Sequence, residues 1–142
     1  MRQVSSHVPR SPAVSTLLIV ITIIAGLVIR FAHLGLPPFI VKYGGSSLWA
    51  VMIYWIASTL LPGWPLRRAV VCGGIIATGV EILKLYHATW LNSFRVTLPG
   101  ILLLGRVFSG WDILVYWLAI GAAALMDRWL RGQIFSNGDS LT

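Results

Sequence analysis

The chain has 142 residues, of which 57% are hydrophobic and only 11% are charged, and its formal net charge is +7. A typical soluble domain contains about a quarter charged residues, so this composition excludes an ordinary water-soluble domain and indicates that lipid surrounds most of the chain. The Lys and Arg residues stand mostly at the ends of apolar runs. This distribution argues against a nucleic-acid partner and is typical of side chains that anchor helices at a membrane interface.

The first apolar run extends over residues 14–29 and follows a polar N-terminal tail, residues 1–12. Ser11 and Pro12 are suited to cap a helix and to open its first turn. A cleaved signal peptide is the alternative interpretation, but the run is long for one and no A-x-A cleavage site follows it. We therefore predict a retained membrane span.

The second predicted span covers residues 46–61. It is preceded by residues 30–45, which contain Gly35, a Pro-Pro pair and a Gly-Gly pair. Because these residues break regular structure, they predict an irregular connection. The span ends at a Pro-Gly-Trp-Pro turn, which two arginines follow.

The third predicted span covers residues 69–86 and is rich in small side chains in its first half. Gly73 and Ala77 are four residues apart, and so are Gly74 and Thr78. This spacing places small side chains on one helix face, where a second helix can approach closely. Chance occurrence in an apolar helix is the alternative explanation.

The remaining chain predicts one short helix, one span and a tail. Residues 97–105 are apolar but too short to cross a bilayer, so we predict an interfacial or re-entrant half-helix there. The last span covers residues 111–130, and a disordered polar tail follows over residues 132–142. The predicted fold is all-α, a membrane bundle of four transmembrane helices over residues 13–131.

Four spans place both termini on the same side of the membrane. That side carries six Lys and Arg residues, and the opposite side carries five. Because positively charged flanks are retained in the cytoplasm, this bias predicts cytoplasmic termini.

Glu81 is the most informative polar residue, because it follows twelve uncharged residues of the third span. An ionised carboxylate at that depth costs several kcal/mol unless it is paired. Lys84 lies three residues later on the same helix face and is suited to form an ion pair with it. The pair has either a functional role or a structural one, in which Lys84 extends outward to the interface.

Further polar residues follow the third span. Arg95 and Arg106 flank the predicted half-helix, where guanidinium groups bind phosphate or simply anchor helices. Asp112 opens the last span as a helix cap or as a partner for one of the arginines. Tyr116 is one turn deeper on the same face and extends such a network inward. The predicted anion site therefore contains Glu81, Lys84, Arg95, Arg106, Asp112 and Tyr116.

No catalytic residues, metal site or cofactor are predicted. The single Cys72 has no partner for a disulfide, and His87 has no second histidine or carboxylate at the spacing of metal ligands. The sequence also contains no phosphate-binding loop and no nucleophile elbow.

The order of these polar residues resembles that of a known family. Residues 81–95 read EILKLYHATWLNSFR and residues 102–116 read LLLGRVFSGWDILVY. In these segments the chain resembles DUF2809, a family of small bacterial membrane proteins of unknown function, and the similarity covers nearly the whole chain. The resemblance implies a location in the bacterial inner membrane and a role at the lipid or envelope interface.

This family is in turn distantly similar to VanZ-like membrane proteins. Those proteins carry a carboxylate, an arginine and an aspartate in the places of Glu81, Arg95 and Asp112. The chain departs from them at Lys84, where glutamine is commoner, and at Tyr116, where asparagine is frequent.

The leading hypothesis is a multi-pass membrane protein that binds an anionic lipid or envelope-precursor head group at the outer interface. In it Arg95 and Arg106 contact the phosphate, while Glu81, Lys84 and Asp112 set the geometry and charge of the site. The first alternative is a small membrane enzyme that acts on a lipid head group, with Glu81 or His87 as the general base. The second is a structural subunit that docks to a membrane-protein partner or to a second copy of the chain.

Overall fold

The computed structural model describes residues 11–105 and 107–138, with side chains up to residue 133. The described chain is all-α. Its helices are α1 (Pro12–Phe31), α2 (Pro38–Leu60), α3 (Leu66–Leu83), α4 (Thr89–Arg95), α5 (Leu98–Leu103) and α6 (Gly110–Gly138).

Helix α2 is the centre of the bundle. It packs against α1, α3 and α6, and α3 also packs against α6, while the short helices α4 and α5 contact each other. The buried core lies where α2, α3 and α6 meet. Its residues are Ala50, Tyr54, Trp55, Ala69, Ala77, Tyr116, Ile120, Ala123 and Ala124.

The small residues of α3 allow the close packing that their spacing predicts. A Cβ atom at Gly73 would lie 3.6 Å from the Cα of Tyr54 on α2, and a Cβ at Gly74 would overlap the ring of Trp117 on α6. The indole of Trp117 also donates a hydrogen bond to Thr78, at 3.2 Å. The predicted close approach of helices at this face is confirmed.

The first helix begins where the sequence predicts, with Pro12 as its first residue and Ser11 before it. The Ser11 side chain makes no capping hydrogen bond, however. Proline is favourable at this position because its missing N–H would have no partner in the first turn.

The prediction of an irregular connection over residues 30–45 is wrong in extent. Helix α2 starts at Pro38, so the connection is short and the Gly-Gly pair lies inside the helix. A Cβ at Gly44 would lie 3.8 Å from the Ile29 side chain of α1. A Cβ would fit there at van der Waals distance, so the structure does not require glycine at this position, and the packing of α1 on α2 outweighs the low helix propensity of glycine.

The segment between α3 and α6 contains two short helices, of which the sequence predicts only α5. Thr97 caps α5, because its hydroxyl accepts a hydrogen bond from the Gly100 N–H at 3.2 Å. A Cβ at Gly100 would overlap the carbonyl of Phe94. Because Gly100 has no side chain, α5 packs directly on the end of α4, and the two short helices form a compact corner.

The sequence predicts a disordered tail from residue 132 onward. In the structure α6 continues to Gly138, so this prediction is wrong for residues 132–138. Residues 139–142 lie outside the described part of the chain, as do residues 1–10 of the predicted N-terminal tail.

The distribution of polarity is inverted relative to a water-soluble bundle. The side chains of Glu81 and Asp127 are 0% exposed. Large apolar side chains are exposed along several helices, among them Leu17, Ile21, Ile24, Ile75, Leu118 and Leu125. By length and composition, α1 and residues 110–133 of α6 are each able to cross a membrane.

Candidate functional site

Glu81 lies in the last turn of α3 and is the centre of a buried polar cluster. Its carboxylate accepts hydrogen bonds from the Lys84 ammonium at 2.5 Å, from the Tyr116 hydroxyl at 2.9 Å and from the Ser109 backbone N–H at 2.7 Å. A buried carboxylate is stable only when such partners replace its water shell. We call Glu81, Lys84, Ser109, Asp112 and Tyr116 the Glu81 cluster.

Lys84 is the cation of this cluster and is only 8% exposed. Besides its contact with Glu81, its Nζ lies 3.8 Å from Oδ2 of Asp112. Gly105 has a φ of +66°, and a Cβ there would lie 3.2 Å from Cε of Lys84. Lys84 is therefore enclosed and does not extend outward to the interface, while a structural role for its pair with Glu81 stays an alternative.

Asp112 is the third residue of α6, with Ser109 just before the helix. The Asp112 N–H donates to the Ser109 carbonyl at 3.0 Å. Its carboxylate faces Lys84, whereas the Arg95 guanidinium bonds to Leu83 and Asn92. The second carboxylate oxygen, Oδ1, is buried and has no hydrogen-bond partner among the described residues.

Arg95 occupies a different place from the one predicted. Its Nη2 donates to the Leu83 carbonyl at 2.5 Å, and its Nη1 donates to the Asn92 side chain at 3.2 Å. The bond to Leu83 joins α4 to the end of α3, whose last carbonyls lack partners within the helix, whereas the bond to Asn92 lies within α4. The guanidinium is buried and holds the corner together, whereas Arg106 lies outside the described residues.

A cavity of about 530 Å³ opens beside the Glu81 cluster. Its wall combines the charged residues Arg30, Lys42, Lys84 and Asp112 with the aromatic residues Trp49 and Tyr116. These aromatic rings pack against each other with centroids 5.5 Å apart. Three of the four charged residues in the wall are cationic, so the wall attracts anions.

An apolar groove of about 360 Å³ adjoins this cavity between α1, α2 and α5. Residues that line both are Arg30, Gly45, Trp49, Leu102 and Leu103. The rest of the groove is lined by side chains such as Ile23, Leu27, Leu48 and Met52. A basic cavity therefore continues into a hydrocarbon-like surface.

Sequence reasoning missed Arg30, Lys42 and Trp49 as members of the site. The signal was present but weak, because all three stand near the predicted ends of spans, where Lys, Arg and Trp commonly anchor a helix at the membrane interface. Which of them face a common cavity depends on how α1 and α2 cross.

A second buried polar cluster, not predicted from the sequence, lies at the opposite end of α6. Asp127 accepts a hydrogen bond from the Tyr54 hydroxyl at 2.8 Å and pairs with Arg131 at 3.0 Å. Arg131 also donates to Ser58 at 3.3 Å. The four-residue spacing of Asp127 and Arg131 on a helix is the signal that could have found it.

His87 lies apart from these clusters. Its ring is exposed, with Nδ1 2.9 Å from the Leu85 carbonyl. Among residues 11–105 and 107–133, no three His, Cys, Asp or Glu side chains come together in a group that could hold a metal ion.

A family profile matches a large part of the chain. The profile of a family described as "Protein of unknown function (DUF2809)" matches residues 35–122, which extend from the start of α2 into α6 and include the whole Glu81 cluster. No solved structure matches the chain. Because the match covers more than half of the sequence, the chain belongs to the DUF2809 family.

Proposed function

We propose that the chain is a multi-pass protein of the bacterial inner membrane whose helices α1, α2, α3 and α6 all cross the bilayer. Helix α2 has 23 residues and a single charged residue, Lys42, near its start. Helix α3 has 18 residues, with its charges confined to its two ends. Both lengths fall in the range of about 17–25 residues that spans a hydrocarbon core.

The ends of these helices support an alternating arrangement. Ser11, Pro62 and Arg131 line one pocket, so the start of α1, the α2–α3 turn and the late part of α6 lie at the same end of the bundle. Arg30, Lys84 and Asp112 line the cavity at the other end. Both termini of the helical bundle therefore belong on one side, which we assign to the cytoplasm.

The function we propose is the binding of an anionic lipid or envelope-precursor head group at the outer interface. The observation that carries this proposal is the continuity of the basic cavity with the apolar groove. An anionic amphiphile requires a cationic surface for its head group directly beside an apolar surface for its acyl chain, and the cavity and the groove provide these two surfaces. A soluble anion without an apolar chain would not occupy the groove.

The charged residues of the cavity have different roles in this proposal. Lys84 is largely neutralised by Glu81 at 2.5 Å and serves to position Asp112. Arg30 and Lys42 are exposed and are the cations available to a phosphate. We therefore assign to these two residues the phosphate contact that the sequence assigns to Arg95, and the contact predicted for Arg106, which lies outside the described residues, stays a prediction.

The test compares the lipids retained by the purified protein in native mass spectrometry. Arg30→Gln with Lys42→Gln should strip most of the anionic lipid while leaving the fold intact, because both side chains lie at the surface. The matched control is Arg67→Gln with Arg68→Gln, an equal loss of charge at the opposite end of α3. Equal lipid profiles for the wild type and the Arg30/Lys42 variant would defeat the proposal.

Neither alternative has comparable support. Glu81 is fully buried and already accepts three hydrogen bonds, so it is poorly placed to act as a general base. The small-residue face of α3, which the structural-subunit alternative needs for a partner, is occupied within the chain by Tyr54 and Trp117.

A further inference from the structure

Two residues that line the cavity each have a buried polar atom with no hydrogen-bond partner among the described residues. One is a donor, Nε1 of Trp49, and the other is an acceptor, Oδ1 of Asp112. Both residues line the cavity, and the Asp112 side chain is almost completely buried. Leaving such atoms unpaired is costly, whereas a bound ligand that pairs them gains affinity and specificity.

We infer that the head group bound in this cavity is a phosphodiester that also carries a free hydroxyl group, as in a glycerol- or sugar-phosphate lipid. This inference rests on the proposed lipid-binding function. The Trp49 indole requires an acceptor, which a phosphate oxygen supplies. The Asp112 carboxylate requires a donor, which a bare phosphodiester lacks and a hydroxyl provides.

An ammonium head group also contains donors, but the charges of the cavity disfavour it. Lys84 Nζ lies 3.8 Å from the other oxygen of Asp112, and Lys42 is in the same wall. A third cation beside Asp112 would be repelled by Lys42 and would compete with Lys84 for the carboxylate. A neutral hydroxyl donates to Asp112 without that repulsion.

The experiment measures lipid binding to the full-length protein in detergent micelles doped with one defined lipid at a time. Phosphatidylglycerol and phosphatidylmethanol form the matched pair, because both are phosphodiesters with one negative charge and only the first has hydroxyls. Phosphatidylcholine is the reference without net charge. We expect phosphatidylglycerol to bind about fivefold to tenfold more tightly than phosphatidylmethanol, the effect of one or two hydrogen bonds.

The outcomes separate this inference from the function on which it rests. Equal binding of the two anionic lipids, both above phosphatidylcholine, overturns the hydroxyl inference and leaves anionic-lipid binding standing. Binding of neither above phosphatidylcholine defeats the proposed function itself. A free ligand is distinguished by competition with water-soluble glycerophosphoglycerol, the same phosphodiester head group without acyl chains, and competition at the same concentration as the lipid would overturn the assignment to a lipid.

Two variants test the assigned atoms. Trp49→Phe removes the N–H but keeps an aromatic ring against Tyr116, and Asp112→Ala removes the acceptor. Each should lower the preference for phosphatidylglycerol, and Asp112→Ala should bring it down to the level of phosphatidylmethanol. Trp90→Phe, at an exposed tryptophan of α4, is the matched control. An unchanged preference in a folded Asp112→Ala variant contradicts the inference, and the wild-type comparison decides if that variant does not fold.

Discussion

Lys84 and Glu81 form a buried ion pair at the end of α3, with Nζ of the lysine 2.5 Å from Oε2 of the glutamate. The pair links α3 to α6, because Tyr116 and the Ser109 N–H donate to the same carboxylate. Through these bonds Glu81 holds Lys84 and Tyr116 in position, and these two residues line the proposed lipid site.

The first prediction concerns this pair. Glu81→Gln or Lys84→Met alone should lower the free energy of unfolding by about 3 kcal/mol or more, because each leaves a buried charge unpaired. The double variant should recover much of the loss. The measurement is denaturant unfolding in detergent, and strictly additive effects would contradict the coupling.

The second prediction concerns the contact between α3 and α6. Gly74→Ala should destabilise the protein by about 1–3 kcal/mol, because its Cβ would overlap the Trp117 ring. Gly79→Ala on the same helix is the matched control, since nothing lies within 4 Å of a Cβ there. The control should be neutral or stabilise the helix by up to about 1 kcal/mol. Equal effects of the two substitutions on thermal unfolding would rule out the close approach.

The third prediction separates Arg95 from the lipid site. Arg95→Lys should lower the free energy of unfolding by about 1–3 kcal/mol, because an ammonium cannot reach both the Leu83 carbonyl and Asn92 in the geometry of a guanidinium. The lipids retained on the folded fraction should match those of the wild type. Loss of anionic lipid at unchanged stability would return Arg95 to the role of a phosphate contact.

The fourth prediction concerns topology. Reporter fusions after Gln133 and in the turn at Gly63 should read cytoplasmic, whereas fusions at Gly35 and His87 should read external. Gly35, Gly63 and His87 lie in connections, so fusions there leave the helices intact, and a fusion after Gln133 keeps the whole segment of α6 that is able to cross a membrane. Opposite locations for Gly35 and His87 would show that the number of spans is wrong, and external readings at both Gln133 and Gly63 would show that the orientation is inverted.

Features that depend on residues close in the sequence could be predicted from it. The start of α1 at Pro12 and the pairing of Glu81 with Lys84 follow from local geometry, since residues three apart share a helix face. The family was also recognisable from the order of its polar residues, and the match over residues 35–122 confirms it. The start of α2 was not predicted because glycine has a low intrinsic helix propensity, whereas in the structure α2 packs along α1 and its Gly-Gly pair is helical.

The sequence by itself determined that the chain is helical and that its surface is apolar. It also determined that some charged residues lie within apolar segments, where a partner from the protein or a lipid head group must offset the cost of burying the charge. Only the tertiary structure decided which charges share a site. Arg95 and Lys42 are equally polar in the sequence, yet one is directed into the α3–α4 corner and the other lines the cavity. The reason is that a local pattern sets the face on which a side chain lies, whereas helix crossings and the α4–α5 corner set what that face meets.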